Sequence, residues 1–269
     1  MDGELLPASE ARVSVFDHGL LTGDGVFETM NVCRGRPFAL TRHLDRLARS
    51  AAGLGLPVPD GAMLRGAVAA VIDADGLDEG RVRVTVTGGP GPLGSDRGAH
   101  APTVIVAAAT PPPWPPTVEV VVAPWPKNEK GALAGLKTTS YAENVLALGW
   151  ARQQGAGEAV FANLAGVLCE GTGTNVFVAA AGRLVTPPLS SGCLAGVTRG
   201  LLLELGVAEE HDVGPADLRR APEACLTSST REVHPIRAVD GVPLPDAPGP
   251  LTRAATAAFE DLKSRDLDP

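Results

Sequence analysis

The sequence predicts a mixed α+β protein in two lobes, divided near residue 113, and three observations support this. Five prolines crowd TPPPWPP at residues 110–116, a run that excludes helix and central strand and reads as a semi-rigid linker. On both sides of it, short β-branched strands are interspersed with helical stretches. The 269 residues, 44% apolar and 20% charged, are enough for one large domain or two ordinary ones with real cores. The expected domains are 1–112 and 113–269.

In the first, VSVFDHGLLTGDGVFETMNV suggests two strands around a Gly-rich turn. TRHLDRLARSAAGLGL places Leu44, Leu47 and Ala51 at helical spacing, with Gly53 and Gly55 closing the helix. A second helix is expected from Asp60 to Asp75. RVRVTVTGG and PTVIVAAAT read as sheet strands. Past the prolines, TVEVVVAPW is a strand leading into the loop PWPKNEKGALAG. Ser140 with Glu143 forms a capping-box pattern for a helix running to Gln154 and stopped by Gly155. AVFANLAGVLCE and NVFVAAAGRLVTP give a series of hairpin strands. GVTRGLLLELG is a short helix with Gly196 at its mouth, and ACLTSSTREVHPI ends a strand in a hydroxyl-rich turn. The acidic tail DLKSRDLDP is expected to fray.

A net charge of −8 argues against a nucleic-acid surface. Cys33, Cys169, Cys193 and Cys225 are scattered, with neither CxxC pairs nor zinc spacing, so they read as reduced thiols and not as a metal site. The first residues lack a signal-peptide core, and no apolar run reaches membrane-spanning length. The expectation is a cytoplasmic enzyme or binding protein.

Only four of the 23 cationic side chains are lysines, and one of them, Lys137, follows GALAGL and precedes TTSYAEN. A lone lysine more often snorkels at a surface. Where arginine is the default cation, a lysine in an apolar setting can be there because its amine loses a proton. Leu133, Ala134, Gly135 and Leu136 could desolvate it, leaving a nucleophile for a Schiff base. Pyridoxal phosphate is the commonest protein-bound aldehyde, and it would need two further groups. One is a carboxylate for the pyridine nitrogen, which Glu170 fits at the end of an apolar strand before a Gly-rich turn. The other is a set of phosphate donors. Gly196-Val197-Thr198 opens a helix, Ser228-Ser229-Thr230 offers hydroxyls, and Arg46 offers a planar fork. The GTGT stretch is not a dinucleotide loop, since it lacks a third glycine and precedes a strand.

Lys137, then CEGTGTNVF, LAGVTRG and LTSSTREV, in this order, resemble the fold-type IV pyridoxal phosphate enzymes, the class IV aminotransferases. DHGLLTGDGVFETM and PFALTRHLDRLARSAAGLGL resemble that family's N-terminal half. The likeness covers roughly residues 5–245. It implies two α/β domains with pyridoxal 5'-phosphate in the cleft between them, and commonly a homodimer. Lys137 would carry the Schiff base and shuttle the substrate proton. Glu170 would pair with the pyridine nitrogen. Arg46, the backbone of Val197 and Thr198, and Ser229 and Thr230 would hold the phosphate. Tyr141 would line the pocket, and Asn175 would brace the Glu170 turn.

Within the family, RVTVTGGPGPLGSDRG, LKTTSYAEN and LSSGCLAGVTR resemble actinobacterial aminodeoxychorismate lyases. That implies elimination of pyruvate from 4-amino-4-deoxychorismate to give 4-aminobenzoate, a step of folate biosynthesis. The alternative is a transaminase, branched-chain-like or serving specialised metabolism. Thr87-Gly88-Gly89 stands where D-amino acid transaminases have an arginine, and Phe27 where they have a tyrosine; both weaken that branch. Arg83 and Arg97 are candidate receptors for a substrate carboxylate, with Thr29 a further contact to a small-molecule amino substrate.

Overall fold

The proline run marks where the packing divides. The computed structural model describes residues 1–58 and 60–269. They form two units: Met1–Pro112 with Leu136–Tyr141 and Asp266–Pro269, and Pro113–Gly135 with Ala142–Arg265. The segment carrying Lys137, assigned from sequence to the C-terminal domain, therefore packs within the first unit.

That unit holds a four-stranded antiparallel sheet of order β2-β1-β3-β4, from β1 (Gly25–Cys33), β2 (Arg36–Pro37), β3 (Gly80–Thr87) and β4 (Val104–Ala109). Three helices accompany it: α1 (His18–Leu21), α2 (Leu40–Leu54) and α3 (Gly61–Asp75). Strand alternation sends Val26, Met30 and Val32 to one face, where they join Val82, Val84 and Val86. Leu44, Leu47 and Ala51 of α2 and Leu64, Val68 and Ile72 of α3 complete this core. Phe27 and Thr29 take the opposite face of β1.

Two expectations fail here for local reasons. The stretch before β1 is a turn and the short helix α1, not a strand, because buried Asp17 captures it. The Asp17 carboxylate accepts hydrogen bonds from Gly19 N (2.8 Å), Thr87 Oγ1 (2.9 Å) and Thr103 Oγ1 (2.7 Å). The acidic tail is likewise held in place. Ala39, left-handed at φ 56°, gives α2 no side-chain cap. Asp268 supplies one, accepting from Thr41 N (2.7 Å) and Thr41 Oγ1 (2.5 Å).

The second unit holds a nine-stranded sheet. Its strands are β5 (Val118–Val122), β6 (Glu158–Ala162), β7 (Leu168–Gly171), β8 (Asn175–Ala180), β9 (Arg183–Thr186), β10 (Ala208–Glu210), β11 (Ala224–Ser228), β12 (Glu232–Val239) and β13 (Val242–Pro243). Their order is β10-β9-β8-β11-β12-β5-β6-β7, with β13 on β12. The hairpins expected from sequence are β6–β7 and β8–β9, both antiparallel. Helices α4 (Ala142–Gln153), α5 (Val197–Glu204), α6 (Pro215–Arg220) and α7 (Pro250–Arg265) complete the unit. Its main core gathers Val118, Val120, Val160, Leu168, Val176, Val178, Leu226 and Ile236.

The start of α7 is capped from a distance. Glu223, 2% exposed, accepts from Leu251 N (2.9 Å) and Thr252 N (2.8 Å), two of the amides that a helix start leaves unpaired. Gly249 makes room for it, since a Cβ there would lie 2.4 Å from Glu223 Cδ. Replacing Glu223 with Ala strands both amides, at about 1–3 kcal/mol for each buried donor left unpaired. Urea unfolding is expected to register a loss of at least 2 kcal/mol or so, and Glu223→Gln a smaller one. An unchanged midpoint in Glu223→Ala would disprove the capping role.

Candidate active site

Lys137 is fixed through its backbone. Val26 and Thr138 form a bridge, Phe27 N donates to Lys137 O (3.1 Å), Thr139 N donates to Gly25 O (2.8 Å), and Lys137 N donates to Ser50 Oγ on α2 (3.1 Å). Ser140 Oγ donates to Gly23 O (3.0 Å), so this hydroxyl holds the segment to the loop before β1 while α4 begins at Ala142. The flanking aliphatics expected to desolvate the amine do not cluster on it. Leu133 is 41% exposed, and Leu136 fills the space above Gly53. Aromatic rings take their place: Lys137 Nζ lies 4.3 Å from the Phe27 ring centre and 5.8 Å from that of Tyr141. Those two rings meet edge to face at 5.2 Å. Arg83, exposed on β3, sets its guanidinium carbon 3.7 Å from the Phe27 ring centre, a cation–π contact. Thr29 is its cross-strand neighbour.

Behind this face lies a carboxylate in core register. Glu28 sits between Val26 and Met30 on the buried side of β1 and is 0% exposed. Helix α2 answers it with two inward residues three apart. Arg46 Nε donates to Oε1 (2.7 Å) and Nη2 to Oε2 (2.7 Å), and His43 Nδ1 donates to Oε2 (2.6 Å). Burial pushes the carboxyl up, but the charge and hydrogen bonds of Arg46, joined by His43, overcome it and bring it from 4.5 down to about 2. Burial also pushes His43 below its ordinary value, against the pull of Glu28. Arg46, expected at a phosphate, thus has its guanidinium plane set by Glu28. Arg97 serves the loop that carries it: Nε and Nη2 grip Asp24 (2.6 Å each), and Leu54 O and Gly55 O accept from Nη2 and Nη1.

In the second unit, Glu170 ends β7 and is 8% exposed. Its Oε1 meets the ammonium of Lys127, and Oε2 accepts from Leu194 N (2.8 Å). Asn175 Nδ2 donates to Leu194 O (2.9 Å), so both main-chain groups of Leu194 are held. Two residues on, Gly196 caps α5 with no side-chain hydrogen bond. It has to be glycine, because a Cβ would lie 2.0 Å from Asn175 Oδ1. The first amides of α5, at Val197 and Thr198, therefore form the positive end of the helix dipole beside the Glu170 strand. Ser229 and Thr230 sit in the turn between β11 and β12, where Ser228 Oγ accepts from Arg231 N (3.1 Å).

Residues 25–239 match the sequence pattern of the family described as amino-transferase class IV, and the chain belongs to that family. Its members are pyridoxal-phosphate-dependent transaminases and lyases. The chain is 32% identical over 270 residues to D-alanine aminotransferase of Bacillus licheniformis, covering 97% of this chain and 95% of that one. It is 31% identical over 285 residues to the bifunctional aminodeoxychorismate lyase / D-amino acid transaminase of Mycobacterium tuberculosis, covering 92% and 93%. The branched-chain amino acid aminotransferase of Escherichia coli superposes with a TM-score of 0.91 at 27% identity, covering 97% and 92%.

Reasoning from sequence missed Glu28, His43 and Lys127. The first two left a trace: an acid interrupts the alternation Val26-x-x-x-Met30-x-Val32, and an i, i+3 pair of cations stands on the apolar side of α2. Lys127, in an irregular loop, left none. The depressed Glu28 carboxyl makes stability depend on pH in a defined window. A folded value of about 2 against 4.5 unfolded means the contribution is complete above pH 4.5 and fades as pH falls toward 2. That corresponds to roughly 3 kcal/mol. Wild-type minus Glu28→Gln stability, from urea melts between pH 7 and pH 2.5, is expected to shrink across that window. A difference independent of pH would refute the ionised pair.

Proposed function

We propose that this chain is a pyridoxal-phosphate-dependent lyase acting on 4-amino-4-deoxychorismate and releasing pyruvate and 4-aminobenzoate. When bound, the cofactor supplies an aldehyde that condenses with primary amines and a protonated ring that takes up electrons. Its chemical demands suit the donors described. An uncapped helix mouth and the hydroxyls of Ser229 and Thr230 suit a phosphate; Arg46 Nε and Nη2 engage Glu28, so Arg46 would reach one only through Nη1. The Glu170 carboxylate suits a pyridine N–H, with Lys127 yielding or sharing it. Lys137 suits the aldehyde.

In this reading Lys137 would hold the cofactor's aldehyde in the resting enzyme, and once the substrate is bound its Nζ would take the proton from the amine-bearing carbon. The ring-to-oxygen bond of the enolpyruvyl group breaks, the proton passes to the departing pyruvate, and the remaining ring becomes aromatic. The observation that carries the proposal is the grouping of Lys137 Nζ with Phe27, Tyr141 and the Arg83 guanidinium. A flat, unsaturated ring bearing an amine and a carboxylate offers a face to the aromatics, its anion to Arg83 and its amine to Lys137. Thr29 and Tyr141 complete the substrate side. Arg97 receives no substrate role, because Asp24 and two carbonyls engage it. A cytoplasmic homodimer is part of the proposal; among the described residues no helix is long and apolar enough to cross a membrane.

A second reading, transamination, draws support from the D-alanine and branched-chain aminotransferases among the similar proteins. It keeps every residue role but returns the proton to the cofactor's C4′ carbon. Incubating holoenzyme with aminodeoxychorismate is expected to yield 4-aminobenzoate. No product there, with bleaching of the visible band by an amino acid and recovery on adding a keto acid, would replace the first reading with the second. Lys137→Ala is expected to abolish turnover and the lysine-bound cofactor band. Arg83→Ala is expected to raise KM about tenfold or more through loss of a charge-assisted contact, with a smaller change in kcat. Unaltered KM would remove Arg83 from the substrate.

A further inference from the structure

We infer that Glu158 is a positioning residue that ties the turn after Glu170 to the turn bearing Ser229 and Thr230, fixing the two ends of the second unit's cofactor-binding surface to each other. The inference rests on the reading that Ser229 and Thr230 hold a phosphate.

Glu158 opens β6 and is 2% exposed, in a strand whose next three residues, Ala159, Val160 and Phe161, are apolar and buried. Nothing in that register calls for an acid. Its Oε1 accepts from Thr172 Oγ1, from Thr172 N (3.2 Å) and from Ala159 N (3.1 Å). Thr172 is two residues beyond Glu170, and its carbonyl accepts from Asn144 Nδ2 (2.6 Å). The other oxygen, Oε2, lies 3.1 Å from Arg231 Nη2.

Arg231 directly follows Thr230. Its guanidinium carbon sits 3.9 Å from the Trp114 ring centre, and Nη1 lies 3.2 Å from His234 Nδ1. Trp114 Nε1 in turn donates to Thr230 O (2.9 Å), and His234 Nε2 is bonded to Pro115 O (2.8 Å). The hydroxyl-rich turn is thus clamped on its main chain by an indole and on its following residue by a buried ion pair. That pair runs back to within two residues of the carboxylate that faces the pyridine nitrogen. Apolar residues in place of both Glu158 and Arg231 would serve packing as well or better, since buried ion pairs seldom gain stability over apolar replacements of the whole pair. What the pair supplies is geometry: it sets the hydroxyls of one turn relative to the carboxylate of another.

The test compares two probes on apo-enzyme: pyridoxal 5'-phosphate, and pyridoxal, which lacks the phosphate. If Glu158 acts by placing the phosphate turn, Glu158→Gln raises Kd for pyridoxal 5'-phosphate about tenfold or more, as loss of one charge-assisted contact would. Kd for pyridoxal stays nearly constant, so the preference for the phosphorylated probe collapses. Arg231→Gln, at the other end of the pair, is expected to do the same and serves if Glu158→Gln does not fold. Arg231→Lys, which keeps the charge, restores part of the preference. Equal weakening of both probes, or no weakening of either, would overturn the inference. Ser229→Ala is the control for the underlying reading. If it leaves the preference intact, the phosphate assignment of Ser229 fails, whatever the outcome at Glu158.

Discussion

A fully buried carboxylate has to be answered where it lies, and Glu28 dictates much of the first unit. Its position in β1 points it into an apolar layer, where an unpaired charge would cost several kcal/mol. The answer comes from α2, which must bring His43 and Arg46 to it, so the helix is fixed in rotation and in height along the sheet. Ser50, one turn further along the same helix, then receives the backbone of Lys137. The placement of the lysine thus descends from the neutralisation of a glutamate on the other side of the strand. The opposite face of β1 is left to Phe27 and Thr29, and there the Phe27 ring meets Lys137 and Arg83.

The second unit follows the same logic with other residues. Glu170 and Asn175 grip the two main-chain groups of Leu194, and this delivers the mouth of α5 to a fixed place beside the strand end. Glu158 does the equivalent for the turn after β11. Carboxylates act here as anchors for backbone and for arginine, as at Glu170 with Leu194 N and at Glu158 with Arg231.

Much of this was legible in the sequence. Strands β3 to β9 and β11, the helices at α2, α3 and α5, and the break at the prolines follow from period and from glycine or proline punctuation, whereas β10, β12 and β13 are not foreseen. Glu170, Gly196-Val197-Thr198 and Ser229-Thr230 could be singled out because each lies at or beside the end of a regular element, and Lys137 because lysine is rare in this chain. What escaped was set by distant partners. Asp17 looks like a loop acid until Thr87 and Thr103 converge on it. Arg97 looks like a mobile cation until Asp24 and the end of α2 claim it. Asp268 looks like part of a solvated tail until the missing cap of α2 is noticed. Each of these contacts spans more than forty residues, a range at which local pattern carries no information.

The return of the chain to its first unit has a consequence for how the protein is made. Residues 136–141 and 266–269 belong to a body that otherwise ends at Pro112. No single cut can free that body whole, and cleavage at the proline run would leave it without its lysine. During synthesis the sheet of β1 to β4 can collapse early, yet α2 lacks its side-chain cap until Asp268 has been made. The unit that carries Lys137 can therefore begin folding before the other and is complete only once residues 266–269 have joined it.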